Sequence, residues 1–339
     1  MRVIVTYTLF LFACAIACCH SLRAGEAVYR LPDCETARSL LSAAAPIHLP
    51  HVGDVHQASN PLSLGLESEN EFEVGGGQFG GAPQVAPTTA GIYCWQTFPD
   101  GLMYRSYIAG EKEPRMGVAW LNEDTFGPLV EAALGGRVGL VRYGSCGSVD
   151  PQGWQLDLEG AALPRLDSSN SELVAVDFRF GLILTHRCGP TAWKGGYYHL
   201  SSHLGDEWLL DNLGFVRNNY VRDAILLGCH HRINQDLAVY GEIAYSPTPG
   251  GGAEPLEFQF GAEFSPARRR APFAAVNVHL REEFDFGGSV NATAGWQWRG
   301  MQSDRVFRVG GQIYEGYSMQ YSFFNQRELM VGIGMWFEY

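Results

Sequence analysis

From about Arg115 onward, apolar and polar side chains alternate with a period of two in short segments separated by turn-forming residues. That is the pattern of strands with one apolar and one polar face, because successive side chains leave a strand on opposite sides. Twelve candidates follow one another, at residues 115–123, 134–145, 152–163, 172–186, 191–202, 218–232, 236–246, 254–264, 273–283, 288–299, 305–315 and 327–339. Several alternate cleanly. Leu256, Phe258, Phe260, Ala262 and Phe264 oppose Glu257, Gln259, Gly261 and Glu263, and Val276, Val278 and Leu280 oppose Asn277, His279 and Arg281. In residues 328–339, Leu329, Val331, Ile333, Met335, Phe337 and Tyr339 share one parity. Glu328, Gly332, Gly334 and Glu338 take the other, with Met330 and Trp336 as larger exceptions. The second and sixth candidates alternate poorly.

Period-two patterning is shared by two architectures. A soluble exported β-sandwich buries its apolar faces against each other. A membrane barrel turns them to lipid and its polar faces to the lumen. Three features favour the barrel. The first is the final strand, which ends on the aromatic Tyr339. It resembles the closing strand of bacterial outer-membrane β-barrels, and the resemblance implies outer-membrane lipid and the barrel-assembly machinery as partners, the latter through the strand ending at Tyr339. The second is the start of the chain. Met1-Arg2 leads into an apolar run from Val3 to Ala17, an export signal with a cut after Ala24. Cys18 and Cys19 raise a lipoprotein alternative, but Ala15-Ile16-Ala17-Cys18 lacks the usual leading Leu. The third is the set of connections. With both termini periplasmic, short turns fall near 147–148, 187–190, 234–235, 265–270 and 300–304. The outer loops, near 124–133, 164–171, 203–217, 247–253, 284–287 and 316–326, are mostly longer. An even strand number also closes without an edge.

The expected fold is therefore all-β: a transmembrane antiparallel barrel of about twelve strands in the cell outer membrane, with a short N-terminal extension. The expected division is a signal peptide over 1–24, a periplasmic, plugging or linker region over 25–112, and the barrel over 113–339. The middle region holds a helical candidate from Asp33 to Leu41 and a glycine-rich stretch at Gly75-Gly76-Gly77 and Gly80-Gly81. His48, His51 and His56 lie there at spacings that do not suit a fixed metal site.

Charge adds an exclusion. Without Arg2 and Arg23, the 24 basic residues fall to 22 against 36 acidic ones, a net charge of −14. Nucleic-acid binding, which calls for a basic footprint, is not expected. Outside the signal the cysteines are Cys34, Cys94, Cys146, Cys188 and Cys229, an odd number, so at least one is free or pairs with another chain. Cys146 and Cys188 both fall at expected periplasmic turns, where a bridge between them is one arrangement. No cofactor is expected and no Cys/His metal spacing appears.

The most unusual polar cluster runs from Tyr197 to Glu207, at the expected outer end of the fifth candidate strand. His199, Ser201 and His203 share one face. The His-x-Ser spacing is similar to the active strand of outer-membrane phospholipases and lipid A deacylases. That resemblance implies His199 as base and Ser201 as nucleophile, with Asn218, Asn219 or Asp211 as the third member. A nucleophile and its base need hydrogen-bond reach of each other. Two departures stand against it. Ser202-His203 follows the serine instead of the families' Asn and then Gly or Ala. Tyr198, Leu200 and Leu204 also read as the lipid face, which turns His199 and Ser201 inward, whereas those enzymes act from the lipid-facing surface. The bland alternative is a loop network in which Asp206 and Glu207 accept hydrogen bonds from His203 and its neighbours. Asp206, Glu207 and Asp211 could hold Ca²⁺, although three acids within six residues are commonplace.

A broader resemblance rests on Phe98-Pro99-Asp100-Gly101-Leu102-Met103-Tyr104-Arg105-Ser106-Tyr107, on Glu113-Pro114-Arg115, and on Ser201-Ser202-His203-Leu204-Gly205-Asp206-Glu207. These residues are similar to a bacterial family of uncharacterised barrels, the domain of unknown function 1207 group, across about Trp95 to Tyr339. It implies an envelope protein and supplies no activity. The expected lumen face carries Asp177, Arg179, Glu257, His279, Arg281, Arg299 and Arg308, with Asp157, Glu159, Glu242, Glu263 and Glu328 beside them. Mixed charge of this kind either seals a narrow barrel or lines a selective pore. A structural or narrow-pore barrel is the leading expectation, and a lipid hydrolase the alternative.

Overall fold

The strands are inside out relative to a soluble protein. Leu134, Val138, Phe180, Ile225, Val290, Ile313, Val331 and Ile333 are exposed, whereas Asp157, Arg165, Asp177, Arg222, Asn277 and Gln297 are buried. Such a reversal is stable where lipid, not water, covers the outside. It overturns the soluble-sandwich alternative. The computed structural model describes residues 93–146, 150–300 and 305–338. They belong to one compact unit, Pro87–Tyr339, which takes in residues 93–112 together with the barrel strands. The signal-peptide expectation, the helical candidate and the histidines of residues 48–56 lie outside the described residues.

Thirteen strands form one antiparallel sheet. They are β1 (Tyr93–Thr97), β2 (Met116–Glu123), β3 (Gly127–Ser145), β4 (Gly153–Asp167), β5 (Leu173–Cys188), β6 (Thr191–Leu204), β7 (Val221–Arg232), β8 (Leu237–Tyr245), β9 (Leu256–Phe264), β10 (Arg270–Arg281), β11 (Gly287–Arg299), β12 (Val306–Tyr317) and β13 (Arg327–Glu338). Each of β2 to β13 pairs with its sequence neighbour, and β13 pairs back onto β2 through Ile333↔Trp120. β2 to β13 thus close a twelve-stranded barrel with no free edge. At one end the strands are joined by 124–126, 168–172, 205–220, 246–255, 282–286 and 318–326, here the loop end. The other connections, 146–152, 189–190, 233–236, 265–269 and 300–305, form the turn end.

The extra strand follows from an overhang. β3 outruns its partner β2, so its edge is covered by β2 over Gly127–Leu134 and by β1 over Val141–Ser145. A disulfide between Cys94 and Cys146 fastens this junction. The bridge is therefore not Cys146 to Cys188: Cys188 is an exposed free thiol, and the unforeseen β1 brings Cys94 to Cys146 instead. The poor alternation of the second candidate also has a structural cause. A register shift between Gly139 and Val141 changes the inward parity of β3, so that Arg137 and Arg142 both point into the barrel.

Candidate functional site

Residues 103–115 fill the lumen. Met103, Tyr104, Ser106, Tyr107, Ile108, Ala109 and Glu111 to Arg115 are buried, and the segment is stitched to strands around the wall. Arg137 of β3 donates to the Tyr104 carbonyl at 3.1 Å. Tyr107 stacks on Tyr240 of β8 with ring centroids 3.7 Å apart and donates to Glu242 at 3.0 Å. The Ile108 amide donates to Glu263 of β9 at 2.6 Å, and Asn291 of β11 donates to the Ala109 carbonyl at 2.8 Å. Lys112 pairs with Asp177 of β5, and Arg115 lies over Trp336 of β13. A segment anchored on so many strands acts as a plug.

Behind it the wall charges pair with one another. Glu159 lies between Arg137 and Arg179, each guanidinium Nε 3.0 Å from a carboxylate oxygen. Arg165 sits between Glu131 and Glu328, with 2.6 and 2.9 Å bonds to the two Glu328 oxygens. His279 bridges Glu111 of the plug at 3.5 Å and Glu257 of β9 at 3.3 Å, and Arg222 approaches Glu257 at 3.6 Å. Arg308 pairs with Glu338, and Arg281 with Glu283 at 3.4 Å. Arg299, near the turn end, is half-buried. Small cavities lie among these side chains. One, of about 10 Å³, is lined by Lys112, Arg179, Glu257 and His279; another, of about 40 Å³, by Glu111, Glu131, Gln312 and Gln320. Each is on the scale of one or a few waters.

The loop end closes differently. Tyr321 and Phe323, on a short turn of 3₁₀ helix in the 318–326 connection, fold inward. Tyr321 packs with Tyr198, Leu200, Tyr220 and Leu226, and Phe323 with Val174, Ala175 and Leu204. Burial pushes the hydroxyls of Tyr220 and Tyr321 up, so both stay protonated donors. The loop's rings thus cover inward side chains of β5, β6 and β7, while Lys112 and Arg281 lie over the Tyr321 ring.

That packing corrects the expected facing of β6. Tyr198 and Leu200, each about 1% exposed, and Leu204 point inward, so His199, Ser201 and His203 point out toward the lipid-facing side. The parity was misread because an apolar face was equated with lipid, whereas here it meets the inturned loop. On the outside, His199 is directly opposite Asp223 of β7 in the sheet register. His199 Nδ1 lies 2.9 Å from Asp223 Oδ1, and the Tyr197 hydroxyl donates to the same oxygen. Phe180 of β5 lies beside the His199 ring, with centroids 5.2 Å apart. Ser201 is two residues further along the same face.

Of the three expected third members, none takes the place beside His199. Asp211 ends the short helix α1 (Asp206–Asp211), and Asn218 and Asn219 fall in the 205–220 connection. Sequence reasoning missed Asp223, whose nearness depends on the pairing of β6 with β7. The loop cluster also separates. His203 faces outward within 3.3 Å of Arg217, whereas Asp206 and Glu207 are exposed on the first turn of α1. Among the described residues, no group of three or more His, Cys, Asp or Glu is gathered as a cation site.

Comparison with known proteins gives a family. The model described as "Protein of unknown function (DUF1207)" matches residues 72–339. No curated protein matches the sequence. Among solved structures, the Escherichia coli outer membrane phospholipase A is similar with a TM-score of 0.45 and 13% identity, over 66% of this chain and 90% of that one. The calcium-bound dimer of the Salmonella typhi enzyme has a TM-score of 0.45 and 14% identity, over 66% and 91%. A mutant porin from Rh. blastica has a TM-score of 0.30 and 9% identity, over 67% and 99%. At these levels the likenesses assign no residue a role.

Proposed function

The chain belongs to the DUF1207 family, whose description names no activity, and from its geometry we propose an outer-membrane barrel, closed to solutes, that hydrolyses lipid acyl esters at its lipid-facing wall. The observation that carries this is the 2.9 Å contact between His199 Nδ1 and Asp223 Oδ1, on adjacent strands of the outward face. Ionisable groups turned to lipid are costly, and they mark functional sites by default. A carboxylate on Nδ1 fixes the tautomer that leaves Nε2 free as a base.

In the proposed reaction the Ser201 hydroxyl attacks the ester carbonyl while its proton passes to His199 Nε2. The tetrahedral intermediate collapses to an acyl-serine, and the lipid alcohol leaves with the proton from His199. Water, deprotonated by His199, then releases the fatty acid. Asp223 holds the imidazole and stabilises its charged form. Phe178 and Phe180, exposed on the neighbouring strand, offer an apolar bed for acyl chains. The plug supports a role outside the lumen, since a filled barrel offers solutes little passage.

One observation favours a purely structural barrel as the second reading. Among the described residues Ser201 makes no side-chain hydrogen bond, and residues two apart on a strand are separated by about 6.6 Å along it. His199 must therefore lean along β6 to meet Ser201, a tightening that catalytic pairs undergo on binding substrate.

The deciding experiment is phospholipid hydrolysis by the purified barrel in detergent, together with labelling by a fluorophosphonate. Wild type is expected to release fatty acid and to be labelled at Ser201. Ser201→Ala and His199→Ala should each lower the rate by at least about a hundredfold, with the heat-modifiable gel mobility of a folded barrel retained. A folded wild type with neither hydrolysis nor labelling would leave the structural reading.

A further inference from the structure

Exposed charge is sorted between the two ends of the barrel. At the loop end Asp124, Asp206, Glu207, Asp211, Glu254 and Asp285 are exposed, against the exposed basic residues Arg217 and Arg327. The turn end has the opposite character in one sector. Arg268, Arg269 and Arg270 are consecutive and exposed where the 265–269 turn enters β10, and Arg305 is exposed just before β12. The Arg299 amide donates to the Arg269 carbonyl at 3.0 Å, which ties the 265–269 turn to the end of β11, and the Gly300 amide donates to the Arg305 carbonyl at 2.9 Å. Among the described residues, none of Arg268, Arg269, Arg270 and Arg305 takes part in an ion pair or a side-chain hydrogen bond. The lumen arginines of this barrel are paired, so these four stand apart from them.

Their neighbours show what they face. Ala271 is buried, so Arg270 lies on the outward face, and its partner across the sheet is Trp298. Trp298 and Phe307, both exposed, sit with ring centroids 5.9 Å apart, and Trp296 is exposed two residues further along β11. Exposed Trp on the lipid-facing wall of a barrel marks the level of the lipid headgroups. The guanidinium of Arg270 is thus at headgroup depth, with Arg268, Arg269 and Arg305 next to it on the aqueous side. Guanidinium groups bind phosphate oxygens in paired hydrogen bonds. We infer that this corner of the turn end is a binding site for the phosphate of anionic membrane lipids, with Trp298 and Phe307 against the acyl chains.

The test is native mass spectrometry of the full-length barrel released from neutral detergent, with phosphatidylglycerol and phosphatidylcholine of identical chains supplied in competition. The wild type is expected to retain phosphatidylglycerol. The Arg268→Gln/Arg269→Gln/Arg270→Gln variant should lose that preference by about a hundredfold, since each basic residue near an anionic surface contributes roughly fivefold to tenfold. The corresponding triple Lys variant should keep most of it. Equal retention of the two lipids by the wild type, or an unchanged preference in the Gln variant, would overturn the inference. Inorganic phosphate that displaces phosphatidylglycerol at comparable concentration would show a free-anion site and overturn the lipid assignment. Should the triple Gln variant fail to fold, Arg268→Gln/Arg269→Gln carries the same test, because both residues lie in the connection.

Discussion

Replacing Arg165 by Met probes how the lumen holds itself together. The guanidinium serves two carboxylates: it pairs with Glu131 through Nε and with both oxygens of Glu328 at 2.6 and 2.9 Å. The three side chains are 2%, 8% and 3% exposed, so water screens none of them appreciably. Glu328 keeps bonds from the Ser318 hydroxyl and the Met319 amide, and Glu131 keeps one from Gln320. Those neutral donors do not replace a cation. Breaking a buried pair from one side costs about 3–5 kcal/mol, because the partner stays buried without its counter-charge. Here two partners are left, so Arg165→Met should destabilise the barrel at the upper end of that range. The assay is guanidinium unfolding followed by tryptophan fluorescence in detergent. Arg165→Met/Glu131→Gln/Glu328→Gln removes the charges together and should recover most of the loss, since replacing a whole buried ionic group is often close to neutral. A single variant within 1 kcal/mol of wild type, or a triple variant as damaged as the single, would refute the reasoning.

Two further predictions concern the plug and its anchor. The wild-type barrel should show no steady conductance in a planar bilayer, and exchanging residues 103–112 for a Gly-Ser run of equal length should open one. Steady conductance in the wild type would contradict a filled lumen. The Cys94–Cys146 bridge spans a sequence separation of 52 residues, which corresponds to about 4 kcal/mol of loop-closure entropy. Cys94→Ser should therefore release β1 and make the chain around Tyr93–Thr97 sensitive to protease, with the twelve-stranded barrel intact. Protease resistance equal to wild type would show that the five-residue pairing of β1 with β3 suffices alone.

Most of the barrel was legible because each strand meets lipid on one side and polar groups on the other. β10, β11 and β13 show this, with Asn277, His279, Arg281, Asn291 and Glu328 buried and Val276, Val290, Val331 and Ile333 exposed. Legibility failed where that two-sided rule failed. β3 contains a register shift that no alternation count can follow. β7 turns Ala224 and Leu226 inward and Asp223 outward, because its interior neighbours are aromatic rings from the loop end. β1 was missed because its partner is not a sequence neighbour but the overhang of β3. The His199 and Ser201 pair could be picked out by its resemblance to the active strand of outer-membrane phospholipases and lipid A deacylases. Asp223 could not, since the register that sets it opposite His199 resumes only after the 205–220 connection.

The reversal of β6 also changes where chemistry can reside in this barrel. An inward His199 would be one more member of a saturated network in which Glu159, Glu257 and Glu328 already have their cations. Such a network fixes the plug and leaves no room for a substrate beside the few waters its cavities admit. Turned outward, the same histidine meets a carboxylate at 2.9 Å and a face otherwise set with Phe178, Phe180, Ile225 and Leu227. A polar pair in that setting is an energetic liability for folding, which the contact of Phe180 with the His199 ring offsets only in part. The remaining compensation must come from the hydrogen bonds within the patch or from a substrate delivered through the bilayer. Asp223→Asn separates the two. If the patch is only self-neutralising, the variant removes the carboxylate that bonds both His199 and Tyr197, and the barrel should unfold more readily. If the carboxylate orients a catalytic base, stability should stay level while acyl-ester hydrolysis drops steeply, and a drop in both together would contradict the assignment of Asp223 as an orienting residue.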